Sequence, residues 1–168
     1  PELMSNALKD YSNALNGARM KDKTKAEVLI NRGAAEGANN QFQQAITDLT
    51  EGLKIDPTNK NGYFNRSIAY YTTQQYDKAL EDYDAYLKLD PFNANVWYEC
   101  GMIQRSMQRN DQAIQSLGKA IQLNPRIGVA YLERARAYAQ SGKLAEAKMD
   151  YQRAQQMGVK LEAMDQQL

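Results

Sequence analysis

The feature that most constrains the fold is a period of 34 residues, which Pro57, Pro91 and Pro125 mark. Each of these prolines follows an apolar run and then an Asp or Asn, as in LKLDP at residues 87–91. A fixed period of this length is typical of stacked structural repeats, in which each unit packs mainly against its neighbours. The sequence therefore predicts tandem copies of one small motif.

Aligning the chain at this period produces columns of similar side chains. One column holds only alanine, a second holds small side chains, and a third holds large apolar ones. The columns are Ala45, Ala79, Ala113 and Ala147; Gly33, Ser67, Gly101 and Ala135; and Leu29, Tyr63, Trp97 and Tyr131. Because a small side chain lets two helices approach closely, the second column predicts helix crossing points.

Each repeat contains two amphipathic segments separated by a short polar break. In the second repeat, NGYFNRSIAYYTT and DKALEDYDAYLKL both place apolar side chains at helical spacing. The breaks TQQY, GANNQF, SMQRND and QSGK suit tight turns between antiparallel helices. Because proline is tolerated in a first helical turn, Asp56 and Asp90 are predicted to begin the next helix pair.

These residues resemble the tetratricopeptide repeat family over residues 26–159. The second repeat offers Tyr63, Ser67, Tyr70, Ala79, Tyr83 and Pro91, and the third offers Trp97, Gly101, Ala113, Ala120 and Pro125. The chain departs from the pattern where Arg32, Arg66, Cys100 and Arg134 replace the usual Leu, and where Glu36 and Gln104 replace Tyr. The resemblance implies an all-α, right-handed superhelical solenoid of antiparallel helix pairs.

We expect one solenoid domain over residues 1–168. Residues 1–25 form a half-repeat helix and loop, four repeats occupy 26–59, 60–93, 94–127 and 128–159, and residues 160–168 form a C-terminal capping helix. The half-repeat is predicted because NALKDYSNAL at 6–15 echoes KALEDYDAYL at 78–87. Its helix should cover about residues 3–16, with Ala7, Tyr11 and Ala14 turned inward. Leu3, Met4 and Leu8 would then be available to upstream sequence or to a second copy.

Composition narrows the possible functions. The chain has no histidine, a single cysteine, and 21 Lys and Arg against 20 Asp and Glu. The charge balance gives no general attraction to nucleic acid or acidic membranes, and 24% charged residues argue against direct membrane insertion. We expect no cofactor, no metal and no catalytic residue. Pro1 is not a translation start, so we expect an excised domain or a processed product, with the cytoplasm as its default compartment.

Three sequence features could indicate a chemical role, but each has a simpler structural interpretation. Cys100 lacks a basic neighbour to activate it, so we expect an inert packing residue. The basic stretch GARMKDKTK at 17–25 lacks aromatic residues and is expected to be a solvated loop. The paired carboxylates are expected to lie on solvated helix faces; they are Asp82, Asp84, Glu146 and Asp150.

By the family resemblance, the first helices of the pairs line a concave groove that holds a segment of another protein. The expected groove residues are Ile30, Asn31, Ala34, Phe64, Asn65, Ile68, Tyr71, Tyr98, Glu99, Met102, Arg105, Leu132, Glu133 and Arg136. Such a surface suits a peptide with apolar anchors and limited charge. Phe64, Ile68 and Met102 have a second interpretation, in which they fill space between neighbouring helices.

Some family members clamp the terminal carboxylate of heat-shock chaperones with Lys, Asn and Arg side chains. Asn65 matches one clamp position, whereas Ile30, Ala34, Asn95 and Glu99 occupy the other four. Glu99 would repel a carboxylate. We therefore do not expect a chaperone tail as the partner.

Three hypotheses for function follow. The leading one is a non-catalytic protein–protein interaction module that binds a peptide or protein of unknown identity, without nucleic acid. The second is an accessory domain that recruits substrates or partners for a larger enzyme, such as a glycosyltransferase. The third is a self-associating structural module, in which solenoid ends or convex faces pair. For the oligomeric state we expect a monomer or a weak homodimer through the N-terminal half-repeat.

Overall fold

The computed structural model of the chain describes residues 2–17, 21–162 and 165. All regular elements in these residues are α-helices, which confirms the predicted all-α class. The helices are α1 (Glu2–Gly17), α2 (Asp22–Ala38), α3 (Phe42–Ile55), α4 (Lys60–Thr72), α5 (Tyr76–Leu89), α6 (Ala94–Ser106), α7 (Asn110–Leu123), α8 (Gly128–Gln140) and α9 (Leu144–Gln156). None of the described helices is long and apolar enough to cross a membrane.

The helices group into two compact units, which we call the N-terminal unit (residues 1–91, α1–α5) and the C-terminal unit (residues 92–168, α6–α9). In the N-terminal unit α2 packs on α3 and α4 on α5, and the two pairs meet through α3 with α4 and α2 with α4. In the C-terminal unit α6 packs on α7 and α8 on α9, and contacts join α7 to α8 and α6 to α8. Each unit therefore places two first helices side by side.

The tight turn within each helix pair is built in the same way in all four pairs. A residue with positive φ recurs every 34 residues, at Asn40, Gln74, Gln108 and Gly142. The next backbone N–H then reaches back to a carbonyl near the helix end, as from Gln75 to Tyr70 at 2.8 Å. This geometry satisfies carbonyl groups that would otherwise lack a partner at a helix C-terminus. The polar breaks in the sequence thus form the predicted turns.

The connection between pairs differs from the prediction. Asp56 and Asp90 do not begin the next helix: they follow the last residues of α3 and α5, and Pro57 and Pro91 lie in turns. An asparagine two residues after Pro57 and Pro91 is the N-cap of the next helix, whereas Ile127 takes that place after Pro125 and makes no side-chain cap. Asn59 accepts a hydrogen bond from the Gly62 N–H at 3.1 Å, and Asn93 caps α6 in the same manner. The asparagine side-chain oxygen accepts a hydrogen bond from an N–H of the first helical turn, whereas proline has no side-chain acceptor. Helices α4 and α6 therefore begin three residues after Pro57 and Pro91.

The packing columns predicted from the period lie in the core. All four alanines of the first column are fully buried. A Cβ at Gly33 would lie 2.6 Å from Leu49 Cγ, and one at Gly101 would lie 2.4 Å from Leu117 Cγ. The small column therefore marks close helix crossings, as expected. Cys100 is 2% exposed and lies beside this contact.

Helix α1 packs against α2, and one contact supports its assignment as a half-repeat. Arg32 Nη1 donates to Ser12 Oγ at 3.3 Å, and Arg66 Nη1 donates to Thr50 Oγ1 at 3.0 Å. Ser12 and Thr50 are equivalent once the four extra residues after α1 are counted. Helix α1 thus contacts α2 as α3 contacts α4.

The side chains predicted to turn inward from α1, those of Ala7, Tyr11 and Ala14, are half-buried. Leu8 is also half-buried, whereas the side chains of Leu3 and Met4 lie outside the described residues. The half-repeat and its availability to a neighbour stay predictions.

The capping helix predicted over 160–168 falls largely outside the described residues. Lys160, Leu161 and Glu162 are described and are not helical, so the helix does not begin at residue 160. Leu161 nevertheless packs against the core cluster that contains Leu132 and Tyr151. Leu161 therefore covers apolar surface of the last pair from a position outside the helices.

Candidate functional site

Ion pairs between a half-buried arginine and a buried aspartate join the two helices of three repeats. Arg32 pairs with Asp48, Arg66 with Asp82, and Arg134 with Asp150, each across 16 residues of sequence. The pairs are bidentate, as shown by the Arg66–Asp82 distances of 2.8 Å from Nε and 2.7 Å from Nη2. The guanidinium fork matches both carboxylate oxygens in this geometry.

The expectation that Asp82 and Asp150 lie on solvated helix faces is wrong. Asp82 is 4% and Asp150 is 7% exposed, because each faces the arginine of the preceding helix. The arginines that depart from the family pattern explain this burial. Asp84 and Glu146 are exposed, as expected.

The third repeat lacks the ion pair because both partners are replaced together. Cys100 stands in the arginine column and Ser116 in the aspartate column, and both are buried. An arginine without its carboxylate, or the reverse, would leave an uncompensated buried charge. The spacing of 16 residues and this joint replacement are visible in the sequence and could have revealed the pairs.

Tyrosines flank two of these half-buried arginines. The Arg66 Cζ lies 5.8 Å from the ring centroids of Tyr63 and Tyr70, and Arg134 is placed similarly between two tyrosines. Glu36 and Gln104 occupy the column of Tyr70 in the other repeats. Each of them has a buried side-chain oxygen that accepts no hydrogen bond within the described residues. At both departures from Tyr a buried polar atom is therefore left without a hydrogen bond from the described part of the chain, which costs free energy.

Glu36 is expected to make the stability of the N-terminal unit depend on pH. Burial, and then the nearby Asp48 charge, raise the pKa of Glu36 to about 7 from 4.5, while Arg32 opposes the shift. The folded state thus favours the protonated acid, so stability is full below pH 4.5 and falls as pH rises through 7. We expect Glu36→Gln to raise the free energy of unfolding at pH 8 by about 1 kcal/mol, since partial solvation screens the charge.

Urea unfolding between pH 4 and pH 8 measures this effect. The difference between Glu36→Gln and the parent chain should vanish at pH 4 and grow to its full size by pH 8. Glu27→Gln is the matched control, because Glu27 is exposed on the same helix. A constant difference across the range would contradict the titration of Glu36.

Two adjoining cavities lie on the first-helix face of the N-terminal unit. One, of about 270 Å³, is rich in amide side chains and is lined by Glu27, Ile30, Asn31, Asn59, Asn61, Phe64 and Asn65. The other, of about 230 Å³, is mainly apolar and is lined by Gly33, Ala34, Gly37, Ala38, Phe42, Asn65, Ile68 and Ala69. Asn65 borders both cavities. We call the first the amide cavity and the second the apolar cavity.

The predicted groove residues of the N-terminal unit differ in how much of each side chain is exposed. Ile30 is only 3% exposed and belongs to the core cluster with Leu49, so it offers almost no surface to a ligand. Ile68 and Tyr71 are exposed, at 41% and 38%. Phe64 packs at 6.0 Å from the rings of Tyr83 and Tyr86, which favours its space-filling interpretation.

Two of the predicted groove residues of the C-terminal unit are buried. Leu132 and Glu133 are 6% and 7% exposed, so the expectation that they face an open groove is corrected. Glu133 accepts hydrogen bonds from Arg105 Nε at 2.7 Å and from Arg136 Nη1 at 3.0 Å. Tyr98 packs against the core cluster of α7 and α8. Contacts between neighbouring first helices bury these side chains.

One column of the repeat distinguishes the two units chemically. Asn31 and Asn65 occupy it in the N-terminal unit, and Glu99 and Glu133 occupy it in the C-terminal unit. Burial raises the pKa of Glu99 above its usual value, because ionising a partly desolvated carboxylate costs free energy. Met102 beside it is half-buried. The N-terminal unit thus presents neutral amides where the C-terminal unit carries carboxylates.

Within residues 2–17, 21–162 and 165, no three His, Cys, Asp or Glu side chains are placed to hold a metal ion. The arrangement offers amide donors and acceptors, apolar surface and arginine–carboxylate pairs. Such groups are able to form hydrogen bonds, apolar contacts and ion pairs with another molecule, and proteins built from such repeats are typically non-catalytic interaction modules.

Comparison with solved structures places the fold among proteins of the same repeat architecture. A crystal structure of MamA superposes with a TM-score of 0.86 at 22% identity, covering 92% of this chain and 88% of that one. MamA residues 41 to the end from Desulfovibrio magneticus RS-1 superpose with a TM-score of 0.84 at 17% identity, over 92% and 85%. YrrB, described as a TPR protein with an unusual peptide-binding site, gives 0.75 at 18%, over 88% and 74%. These likenesses concern the fold alone.

Family comparison agrees with the structure. Models described as tetratricopeptide repeat match residues 26–59, 61–93 and 99–158, whereas none of the curated proteins matches the chain. The matched residues include the alanine and small-residue columns that form the core. The chain belongs to the tetratricopeptide repeat family.

Proposed function

We propose that the chain is a non-catalytic interaction module that binds an extended segment of a partner protein on the first-helix face of its N-terminal unit. The observation that carries this proposal is the position of Asn65, which borders both the amide cavity and the apolar cavity. A single bound segment could place its main chain at the first cavity and a side chain in the second.

The amide cavity has the chemistry for binding a peptide main chain. Each asparagine amide offers both donors and an acceptor, as a peptide group does. Asn31 is exposed and Asn65 is half-buried, and both are uncharged. Recognition through the main chain tolerates many side chains in the bound segment. Specificity would therefore come from the neighbouring apolar cavity.

The apolar cavity suits one aliphatic or aromatic side chain of the partner. Its lining comes from small residues of α2 together with Ile68, which is 41% exposed. Tyr71, also exposed, lies one turn beyond Ile68 on α4, and its ring packs in a tilted arrangement 5.6 Å from that of Tyr76 at the start of α5. Burial of such apolar surface contributes about 25 cal/mol per Å². The description of YrrB as a peptide-binding protein of this fold supports the proposal by analogy.

Replacement of Asn65 tests the proposal. Peptides that bind the full chain are selected from a random library and measured by fluorescence anisotropy. We expect Asn65→Ala to weaken binding about tenfold, since lost hydrogen bonds to the main chain contribute about 1.4 kcal/mol. Asn6→Ala is the matched control, because Asn6 is exposed on α1 and borders neither cavity.

Main-chain recognition is tested by N-methylation of the selected peptide, one amide at a time. At the position that contacts Asn65, methylation should weaken binding to the parent chain and have little further effect on Asn65→Ala. If every methylated peptide loses equal affinity for both proteins, Asn65 does not read the main chain. If no library peptide binds, the proposed segment-binding function is wrong.

A further inference from the structure

The C-terminal unit contains a surface cavity of about 280 Å³ that the proposed function does not use. We call it the arginine cleft; its walls are Arg105, Arg136, Ala139, Gln140 and Tyr151. Glu162 and Asp165, from the segment after α9, also border it. The cleft therefore brings two arginines of the first helices together with an acidic segment of the same chain.

The carboxylate of Asp165 is held as a ligand would be. Arg136 donates from Nε at 3.0 Å and from Nη2 at 2.8 Å, one bond to each carboxylate oxygen. The Tyr151 hydroxyl forms a further hydrogen bond to Asp165. Asp165 is 5% exposed, and Glu162 adds a second carboxylate 3.2 Å from Arg136. A planar guanidinium with a hydroxyl beside it forms a specific site for one carboxylate.

The charges on the first helices favour an acid in the cleft. The first helices supply two positive charges, from Arg105 and Arg136, and one negative charge, from Glu133. One positive charge on the two arginines is therefore left for a carboxylate from outside the helices. Both arginine side chains keep about a fifth of their surface exposed, at 22% and 20%, so a carboxylate can approach from solvent.

We propose that the arginine cleft is a binding site for an aspartate or glutamate side chain of a partner protein segment, and that Asp165 occupies it as an intramolecular competitor. This inference rests on the proposed function as a segment-binding module. It assigns to the C-terminal unit a separate ligand, an acidic side chain. An acidic partner segment must displace Asp165 and Glu162 from the cleft, so the chain limits its own affinity.

The inference is tested with a fluorescent peptide of residues 159–168, VKLEAMDQQL, amidated at its C-terminus so that only side-chain carboxylates remain. Its affinity is measured for the full parent chain, for Asp165→Asn, and for Asp165→Asn combined with Arg136→Gln. We expect Asp165→Asn to bind the peptide at least tenfold more tightly than the parent chain. Removal of Arg136 should abolish that gain.

A matched peptide with Asn in place of its own Asp is the ligand control, and it should not show the gain. Equal affinity of the parent chain and Asp165→Asn, or equal affinity of Asp165→Asn for the two peptides, would overturn the inference. Circular dichroism checks the fold of each variant.

If Asp165→Asn unfolds the C-terminal unit, Glu162→Gln decides the question, since the Glu162 side chain is 73% exposed and contributes little to the core. We expect this variant to bind the peptide at least twofold more tightly than the parent chain, and no gain would overturn the inference. Asn65→Ala separates the two proposals: it should leave binding of this peptide unchanged, whether or not the N-terminal unit binds library peptides.

Discussion

Replacing Asp82 with serine is expected to lower the free energy of unfolding by about 3 kcal/mol, because the half-buried Arg66 then lacks its carboxylate. The Arg66 side chain is 16% exposed and that of Asp82 is 6% exposed, so water cannot fully replace the lost partner. Arg66→Cys should lower the free energy of unfolding by a similar amount, because Asp82 is then buried without its arginine. The double variant Arg66→Cys with Asp82→Ser should cost only about 1 kcal/mol, because no charge is left unpaired.

The third repeat provides the reason to choose these substitutions. Cys100 and Ser116 occupy the two positions there, and both are buried. The double variant copies a combination that the chain already accommodates. Urea unfolding of the single and double variants measures the coupling between the two sites.

Lys60→Ala is the control for this experiment. Lys60 also pairs with an aspartate, Asp90, but its side chain is 48% exposed. Exposed pairs contribute little, so its removal should hardly change the unfolding transition. If the two single-variant losses at Arg66 and Asp82 simply add in the double variant, the ion pair does not act as a unit.

Two glycines of α2 are expected to respond to alanine in opposite directions. Gly33→Ala should lower the free energy of unfolding by about 2 kcal/mol, because its Cβ would lie 2.6 Å from Leu49 Cγ and 3.2 Å from the Ala45 carbonyl oxygen. Leu49 is fully buried and cannot swing aside. Gly37→Ala should instead raise it by about 0.5–1 kcal/mol, since alanine favours the helix and the nearest atom, Ala45 Cβ, is 3.9 Å away.

Thermal and urea unfolding of the two variants, in parallel with the parent chain, measure both signs. The pair controls for helix propensity, because both substitutions lie in the same helix and replace the same residue. Stabilisation by Gly33→Ala would show that α2 and α3 can separate without loss, contrary to the packing described above.

The sequence alone predicted the helix pairs, their turns and the packing columns. Ala45 and its three equivalents, and Gly33 and Gly101, recur at one spacing because each repeat solves the same packing problem against its neighbours. Such a pattern involves contacts that are local in sequence, so it can be read without coordinates. The turns at Gln74 and its equivalents followed for the same reason.

Candidate binding residues were predicted less well. Asn65, Ile68 and Tyr71 lie at the surface of the N-terminal unit, whereas Ile30 and Leu132 are buried. Helical spacing indicates which side of a helix a residue occupies, but not how closely the next first helix approaches. A residue near the edge of that contact is buried or exposed according to a small rotation of the helix.

The sequence by itself determined the period, the all-α fold and the family, because these depend on side-chain size repeated at fixed intervals. Only the tertiary structure decided which charges are solvated. Asp82 and Asp84 look alike in the sequence, yet one faces Arg66 across the helix pair and the other faces solvent. Asp165 likewise meets Arg136 across 29 residues of sequence. The state of a charged side chain depends on what the opposing helix or segment presents to it, and that is a property of the folded chain.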